Sequence, residues 1–219
     1  MPTSAYLQTV AMFAIMAIAL FASAGTLTFV SFWIYLAIMA AVFIGSFLWV
    51  DPDLARERMR PGGQKPPLAL RLFTIVLIAH CVVAGLDRGH FHWSDRVPGW
   101  LQAVALIAMA SSFALVLWAM VVNRFFSSVI RIQNDRGQHV ISTGPYAVIR
   151  HPGYLAGIVF VVTSGVALGS WYAALMLTVF TVPFLLYRVT TEDGVLHAEL
   201  PGYTDYATRV RWRLVPGVW

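Results

Sequence analysis

Cysteine is almost absent from this sequence. Cys81 stands alone in an apolar run, so neither a disulfide framework nor a cysteine-rich metal site can be built. Charge is scarce as well: 11% of the 219 residues are Asp, Glu, Lys or Arg, against 59% hydrophobic. That leaves too little polar surface to coat a soluble globule of this size, so lipid must serve as part of the solvent. No Lys or Arg precedes Arg56. Residues 1–24 therefore lack the basic start of a signal peptide, stay apolar for about a membrane thickness, and read as a retained helix. No internal repeat or low-complexity tract stands out. The net charge of +5 is spread over short links between apolar runs rather than gathered in a basic domain, which argues against nucleic acid as a partner.

What is present is a succession of apolar runs at 5–24, 27–50, 68–86, 98–122, 153–169 and 171–189. Each is near the roughly 20 residues that cross a bilayer, which predicts an all-α integral membrane protein of about six transmembrane helices. The fifth run is rich in glycine (Gly153, Gly157, Gly165, Gly169), which permits tilting, close packing or re-entry. With both termini on one side, that side receives thirteen of the fifteen basic residues, including Lys65, and only Arg88 and Arg96 fall opposite. The positive-inside rule then puts the termini and the two long loops in the cytoplasm. Loop 51–67 reads as a solvated connector. In the second loop, Val129-Ile130-Arg131-Ile132-Gln133 and Gln138-His139-Val140-Ile141-Ser142 flank the turn-like Asn134-Asp135-Arg136-Gly137, and this predicts a small hairpin or paired extended segment.

The densest chemical signal runs from Thr143 to Tyr154. Gly144-Pro145 forces a turn and Pro152 suits the first turn of the next helix, so Tyr146, Arg150, His151 and Tyr154 are held at the mouth of a span. Arginine and tyrosines there either anchor the helix at the headgroups or address a ligand. A second signal closes the last span. Arg188 and Glu192 are i and i+4, on one helix face, and can pair with each other or with a ligand; Asp193 follows. Residues 203–212 read as a short, basic, amphipathic helix lying on an anionic leaflet. Among the other histidines, His90 and His92 lack further metal ligands, so no metal site is assigned. His80 lies within the third span, where hydrogen bonding between helices is its expected role.

Gly-Pro-Tyr, three residues, Arg-His-Pro-x-Tyr, a span, an acidic pair and a Pro-Gly-Tyr-x-x-Tyr tail: this ordered pattern over residues 120–219 resembles the catalytic half of the isoprenylcysteine carboxyl methyltransferases and their phospholipid-methylating relatives. The stretches Leu86 to Pro98 and Asn123 to Gly137 resemble a bacterial branch of that superfamily. The resemblance implies two regions, N-terminal helices in 1–122 and a methyltransferase region in 123–219. It implies S-adenosylmethionine bound on the cytoplasmic side of a bacterial inner membrane, against His139, Val140, Gly144, Tyr146, Arg150, His151, Pro152, Tyr154, Glu192 and Asp193. Arg188 matches the family's arginine one turn before the acidic pair, so Arg188 and Glu192 are the expected catalytic residues. The pair is usually two glutamates, and Asp193 departs from that. Arg150 or His151 is chemically suited to the cofactor's carboxylate. The implied acceptor is a lipophilic molecule resident in the membrane, carrying an isoprenylcysteine-like carboxylate. A lipid amine is the alternative acceptor, and an NADPH-dependent reductase of the sterol type the alternative enzyme. The motifs leave the acceptor's identity and the oligomeric state open.

Overall fold

A computed structural model describes residues 3–63, 68–94 and 96–219; Lys65 and the end of the 51–67 connector lie outside the described residues. The order is α1 (Thr3–Ala24), α2 (Val30–Trp49), α3 (Pro52–Met59), α4 (Leu68–Leu86), α5 (Gly99–Val122), α6 (Pro152–Leu168), α7 (Trp171–Glu199) and α8 (Tyr203–Arg209). A π-helical turn, Asp87–Phe91, extends α4. The chain is all-helical among the described residues, and it is that of an integral membrane protein. Four helical stretches are long and apolar enough to cross a bilayer: Val30–Trp49, Arg71–Phe91, Gly99–Val122 and Trp171–Glu199. Two further apolar helices, Thr9–Ala24 and Pro152–Leu168, are shorter, so the expectation of six spans is met by four full-length candidates.

Local signals set the boundaries. Asp51 caps α3, its carboxylate accepting from the Asp53 N–H at 2.7 Å, with Pro52 in the first turn. Pro152 opens α6, and Gly169 ends it at φ +83°, where a side chain would be strained. Ser170 then caps α7 by accepting from the Ala173 N–H. The α6–α7 pair is close-packed at Gly165, where an added Cβ would lie 2.1 Å from the Ala174 nitrogen.

The core of the bundle joins α1, α2, α4, α5, α6 and α7 around residues such as Met16, Phe32, Tyr35, Met109 and Leu177. One polar relay crosses it. His80 Nδ1 lies 3.0 Å from the Ala173 carbonyl and Nε2 lies 2.9 Å from Ser164 Oγ, which is 2.9 Å from the Tyr35 hydroxyl. A carbonyl only accepts, so Nδ1 carries the proton, Ser164 donates to Nε2, and Tyr35 donates to Ser164. His80 thus bonds helix to helix. At that bundle's far end the buried Asp87 accepts from the Ser94 and Ser170 hydroxyls and the Ser94 N–H, tying the α4–α5 loop to the α6–α7 turn.

Two expectations are corrected. The 124–142 loop forms no strand pair among the described residues; it runs extended, with tight turns at Asn134–Arg136 and Gly144–Ala147. Its β-prone side chains Ile132 and Val140 pack against a tail cluster instead of against each other in a ladder. That cluster is Leu200, Tyr203, Tyr206 and Val210, so the apolar face of α8 is turned into the protein rather than onto a leaflet.

Candidate active site

A cavity of about 340 Å³ opens where α3, the 123–142 connector, the starts of α4 and α6, and the ends of α5 and α7 converge. That volume lies within the range of small-molecule pockets, roughly 300–1,000 Å³. Its walls are of two kinds. Phe73, Val116, Gly157, Phe160, Phe184 and Leu185 make an apolar wall from four membrane helices, and the connector with Tyr146, Tyr154, Arg188, Glu192 and Tyr203 makes a polar one.

Nine of the eleven site residues expected from the sequence line this one cavity: His139, Val140, Tyr146, Arg150, His151, Pro152, Tyr154, Arg188 and Glu192. Gly144 and Asp193 do not. Gly144 turns the chain at φ +57°, tucked against Trp118 and Val122. Asp193 sits behind the wall, 1% exposed, as the acceptor at the centre of an ionic cluster. Its carboxylate accepts from Arg150 Nε (3.0 Å) and Nη2 (3.1 Å), His151 Nε2 (3.1 Å), the Tyr203 hydroxyl (2.8 Å) and Arg213 Nε (2.9 Å). Arg150 Nη1 donates to the carbonyls of Val210 and Arg211, while the Arg150 and His151 N–H groups donate to the carbonyls of Trp212 and Arg213. The guanidinium of Arg150 is therefore spent on holding the tail, which removes it as the receiver of a ligand carboxylate. Burial, then the adjacent Asp193 charge, pushes the Tyr203 phenol far above its ordinary range and keeps it a donor.

Arg188 and Glu192 share a helix face but do not touch. Tyr154 bridges them, its hydroxyl accepting from Arg188 Nε at 3.0 Å and donating to Glu192 Oε2 at 2.7 Å. Arg188 Nη2 also donates to the Ser128 carbonyl at 3.1 Å. The side chain is thereby fixed on both flanks at the rim between the polar and apolar walls.

The structure adds residues that the sequence did not single out. The 51–67 connector, read as solvated, carries Glu57 and Arg58 into the protein. Glu57 is buried and receives Arg131 in two bonds (3.1 and 3.0 Å), the Gly62 N–H and the Ser127 hydroxyl. Burial opposes its charge, yet those donors hold its carboxyl below the ordinary value. Arg136 pairs with Asp53 at 2.6 Å and so pins the turn of the second loop to the first. Arg58 lines the cavity, its Nη1 donating to the Phe126 carbonyl at 3.3 Å and its guanidinium 5.0 Å from the Phe126 ring. Its partners lie 68 residues along the chain, which a linear reading cannot connect. Among the described residues no cluster of three or more His, Cys, Asp and Glu forms a metal-holding group.

Residues 103–198 match the sequence model of the isoprenylcysteine carboxyl methyltransferase (ICMT) family. Among curated proteins the chain is 26% identical over 134 residues to the nickel-cobalt-cadmium resistance protein NccN of Alcaligenes xylosoxydans xylosoxydans, covering 61% of this chain and 59% of that protein. It is 25% identical over 86 residues to the protein-S-isoprenylcysteine O-methyltransferase of Schizosaccharomyces pombe, covering 39% and 36%. It is also 26% identical over 133 residues to the cobalt-zinc-cadmium resistance protein CzcN of Cupriavidus metallidurans, covering 58% and 56%. The chain thus spans less than two thirds of the length of each of these relatives. The matched stretch runs from α5 to the end of α7 and carries most of the cavity's polar wall, and over it the chain is similar to the isoprenylcysteine carboxyl methyltransferase family.

Proposed function

We propose that the protein is an S-adenosylmethionine-dependent methyltransferase acting on a lipophilic acceptor that reaches the site from the membrane. The observation that carries this reading is a cavity with one polar and one apolar wall, built largely from the family-matching stretch. It is suited to a water-soluble methyl donor and a greasy acceptor meeting at one rim.

The polar wall fits the donor's chemistry. Val140 and Ile141 line the cavity, and their main-chain N–H groups donate to no protein acceptor among the described residues, which leaves them free for a ligand. Tyr146 and Tyr154 supply ring faces, and Glu192, with one oxygen committed to Tyr154, has acceptor capacity left for ribose hydroxyls or an ammonium. His151 donates from Nε2 to Asp193, and its Nδ1 has no protein partner among the described residues. When bound, S-adenosylmethionine supplies a methyl on a sulfonium, whose C–S bond breaks as the bond to an acceptor oxygen forms, leaving a neutral thioether and a neutral methyl ester. The protein's task is then alignment and exclusion of water. Arg188, held by Tyr154 and the Ser128 carbonyl, orients the reacting end of the acceptor, while Phe73, Phe160, Phe184 and Leu185 shelter its apolar chain.

In this reading the termini, the connector and the cofactor wall face the cytoplasm of a bacterial inner membrane, in keeping with the distribution of basic residues. Calorimetry of the detergent-solubilised protein tests the enzyme class. Saturable binding of S-adenosylhomocysteine with none of NADPH is expected; saturable NADPH binding with no S-adenosylhomocysteine binding would overturn it in favour of a reductase.

A further inference from the structure

The cavity carries an imbalance of charge that its own walls do not resolve. Four arginines line it: Arg58, Arg131, Arg150 and Arg188. Arg131 holds two carboxylates, Glu57 and Asp135, and Asp193 holds two arginines, Arg150 and Arg213, so these three arginines and three carboxylates balance. Arg58 and Arg188 have no carboxylate within ion-pair distance among the described residues; their bonds go to carbonyls and to the Tyr154 hydroxyl. The remaining acid in the cavity is Glu192, which is bonded to Tyr154. Two cations thus face one anion in a site partly closed off from water. Such an excess costs free energy unless a ligand brings the missing negative charge.

S-adenosylmethionine does not bring it. With a sulfonium, an ammonium and a carboxylate it is itself a net cation, and it deepens the excess. An amine acceptor, protonated at neutral pH, deepens it again. An acceptor ending in an anion removes one charge and leaves the cavity nearer balance.

We propose that Arg58, brought in by α3 from outside the family-matching stretch, is the residue that reads the acceptor's anionic end, acting beside Arg188 to select a carboxylate-tipped amphiphile over an amine. The proposal rests on the methyl-transfer reading and deepens it. Its geometry is consistent with that role. The guanidinium lies against the Phe126 ring and is tethered by a single long bond of 3.3 Å to the Phe126 carbonyl, which leaves most of its five N–H donors uncommitted. Its surroundings are those of the reacting rim, since it lines the same cavity as Arg188, Tyr146 and Tyr154. Burial lowers its hold on its proton below the ordinary value, Tyr146 and Tyr154 opposing that shift and the like charge of Arg188 adding to it. Ala69 and Phe73, from the start of the next helix, line the same cavity, so the first half of the chain gives both a charged tip and an apolar wall to the acceptor's side.

The test uses the whole chain in neutral detergent with two probes of equal chain length, dodecanoate and dodecylamine, and follows S-adenosylhomocysteine binding in parallel. Detergent partition of each probe cancels when wild type and variant are compared. Wild type is expected to prefer dodecanoate; R58Q should lose at least about tenfold of that preference, the scale of a hydrogen bond to a charged group, and R58K should keep most of it. Affinity for S-adenosylhomocysteine should stay within about threefold in R58Q, since a lost contact to the donor would cost more. An unchanged preference in R58Q overturns the proposal. So does a preserved preference with lost S-adenosylhomocysteine binding, which would assign Arg58 to the donor's carboxylate. Should R58Q fail to purify folded, R58M is compared with wild type in its place, and the same outcomes decide. If wild type prefers dodecanoate but binds no S-adenosylhomocysteine, the methyltransferase reading fails while the anion-reading role stands.

Discussion

Asp193→Asn isolates what holds the tail over the cavity. The side chain keeps its shape but loses its charge, and one of its oxygens becomes an NH₂ that faces donors instead of receiving them. Five hydrogen bonds converge on that carboxylate, from Arg150, His151, Tyr203 and Arg213. Arg150 and His151 are nearly as buried as Asp193, whereas the Arg213 side chain is 34% exposed and its share is discounted for screening. Breaking a buried pair by removing one partner costs about 3–5 kcal/mol, because the other charge is left behind without compensation. At about 1.4 kcal/mol per tenfold, this shifts the opening of the tail by roughly 10²-fold to 4 × 10³-fold. The loss should be local. Asp193 joins the start of α6, the end of α7, α8 and the chain after it, while the transmembrane core rests on other contacts. Hydrogen exchange of residues 200–214 should accelerate by that factor in the variant, with residues 155–168 unchanged. Tail protection within about threefold of wild type would correspond to under 1 kcal/mol and would refute the reasoning. A loss of S-adenosylhomocysteine binding with tail protection intact would instead make Asp193 a direct cofactor ligand.

Glu57 gives a pH dependence whose sign is fixed by its depressed carboxyl: the stability it contributes is present above its unfolded value and lost as pH falls through the lower folded one. Exchange in residues 127–133 should therefore speed up on acidification below the ordinary glutamate range, and E57Q should already be fast at neutral pH. His80→Ala removes the relay's centre and leaves Ser164 and the Ala173 carbonyl short of partners, a cost of about 1–3 kcal/mol that should lower the melting temperature while leaving S-adenosylhomocysteine affinity unchanged. Arg188→Ala should lower turnover while donor affinity stays near wild type, since alignment is lost without donor contacts; an equal loss of both would make Arg188 a support for Glu192. For topology, a cysteine placed at Arg60 or Asp135 in a Cys81→Ser background should be labelled only from the cytoplasmic face and one at the exposed Arg96 only from outside; one-sided labelling of all three would contradict the orientation.

The apolar runs announced the helices because burial in lipid leaves long uninterrupted hydrophobic stretches that need no knowledge of partners. The end of α7 was less legible. Its apolar run stops near residue 189, yet the helix continues to Glu199, since its polar last turns are carried by the Tyr154 bridge and the Asp193 cluster. The turn at Gly144 and the start at Pro152 followed from residues whose backbone preferences are local. The 124–142 loop misled for the opposite reason: β-prone residues predict extended chain, and whether it pairs with itself or lines a cavity depends on what lies across from it. Arg58 and Asp193 were hidden in the same way. Their roles come from partners 10 to 68 residues distant, or from the absence of one.

The account stands on transfer of a methyl group to a membrane-resident acceptor at the Tyr154–Arg188–Glu192 rim. Incubating the purified protein with S-adenosylmethionine labelled at its methyl group and a lipid extract of the native membrane, then resolving products by chromatography, measures that directly. The account predicts label in a lipophilic product that mild base releases as methanol, abolished by Glu192→Gln in a protein that remains monodisperse. Label in no lipophilic product, or undiminished transfer by Glu192→Gln, would contradict it.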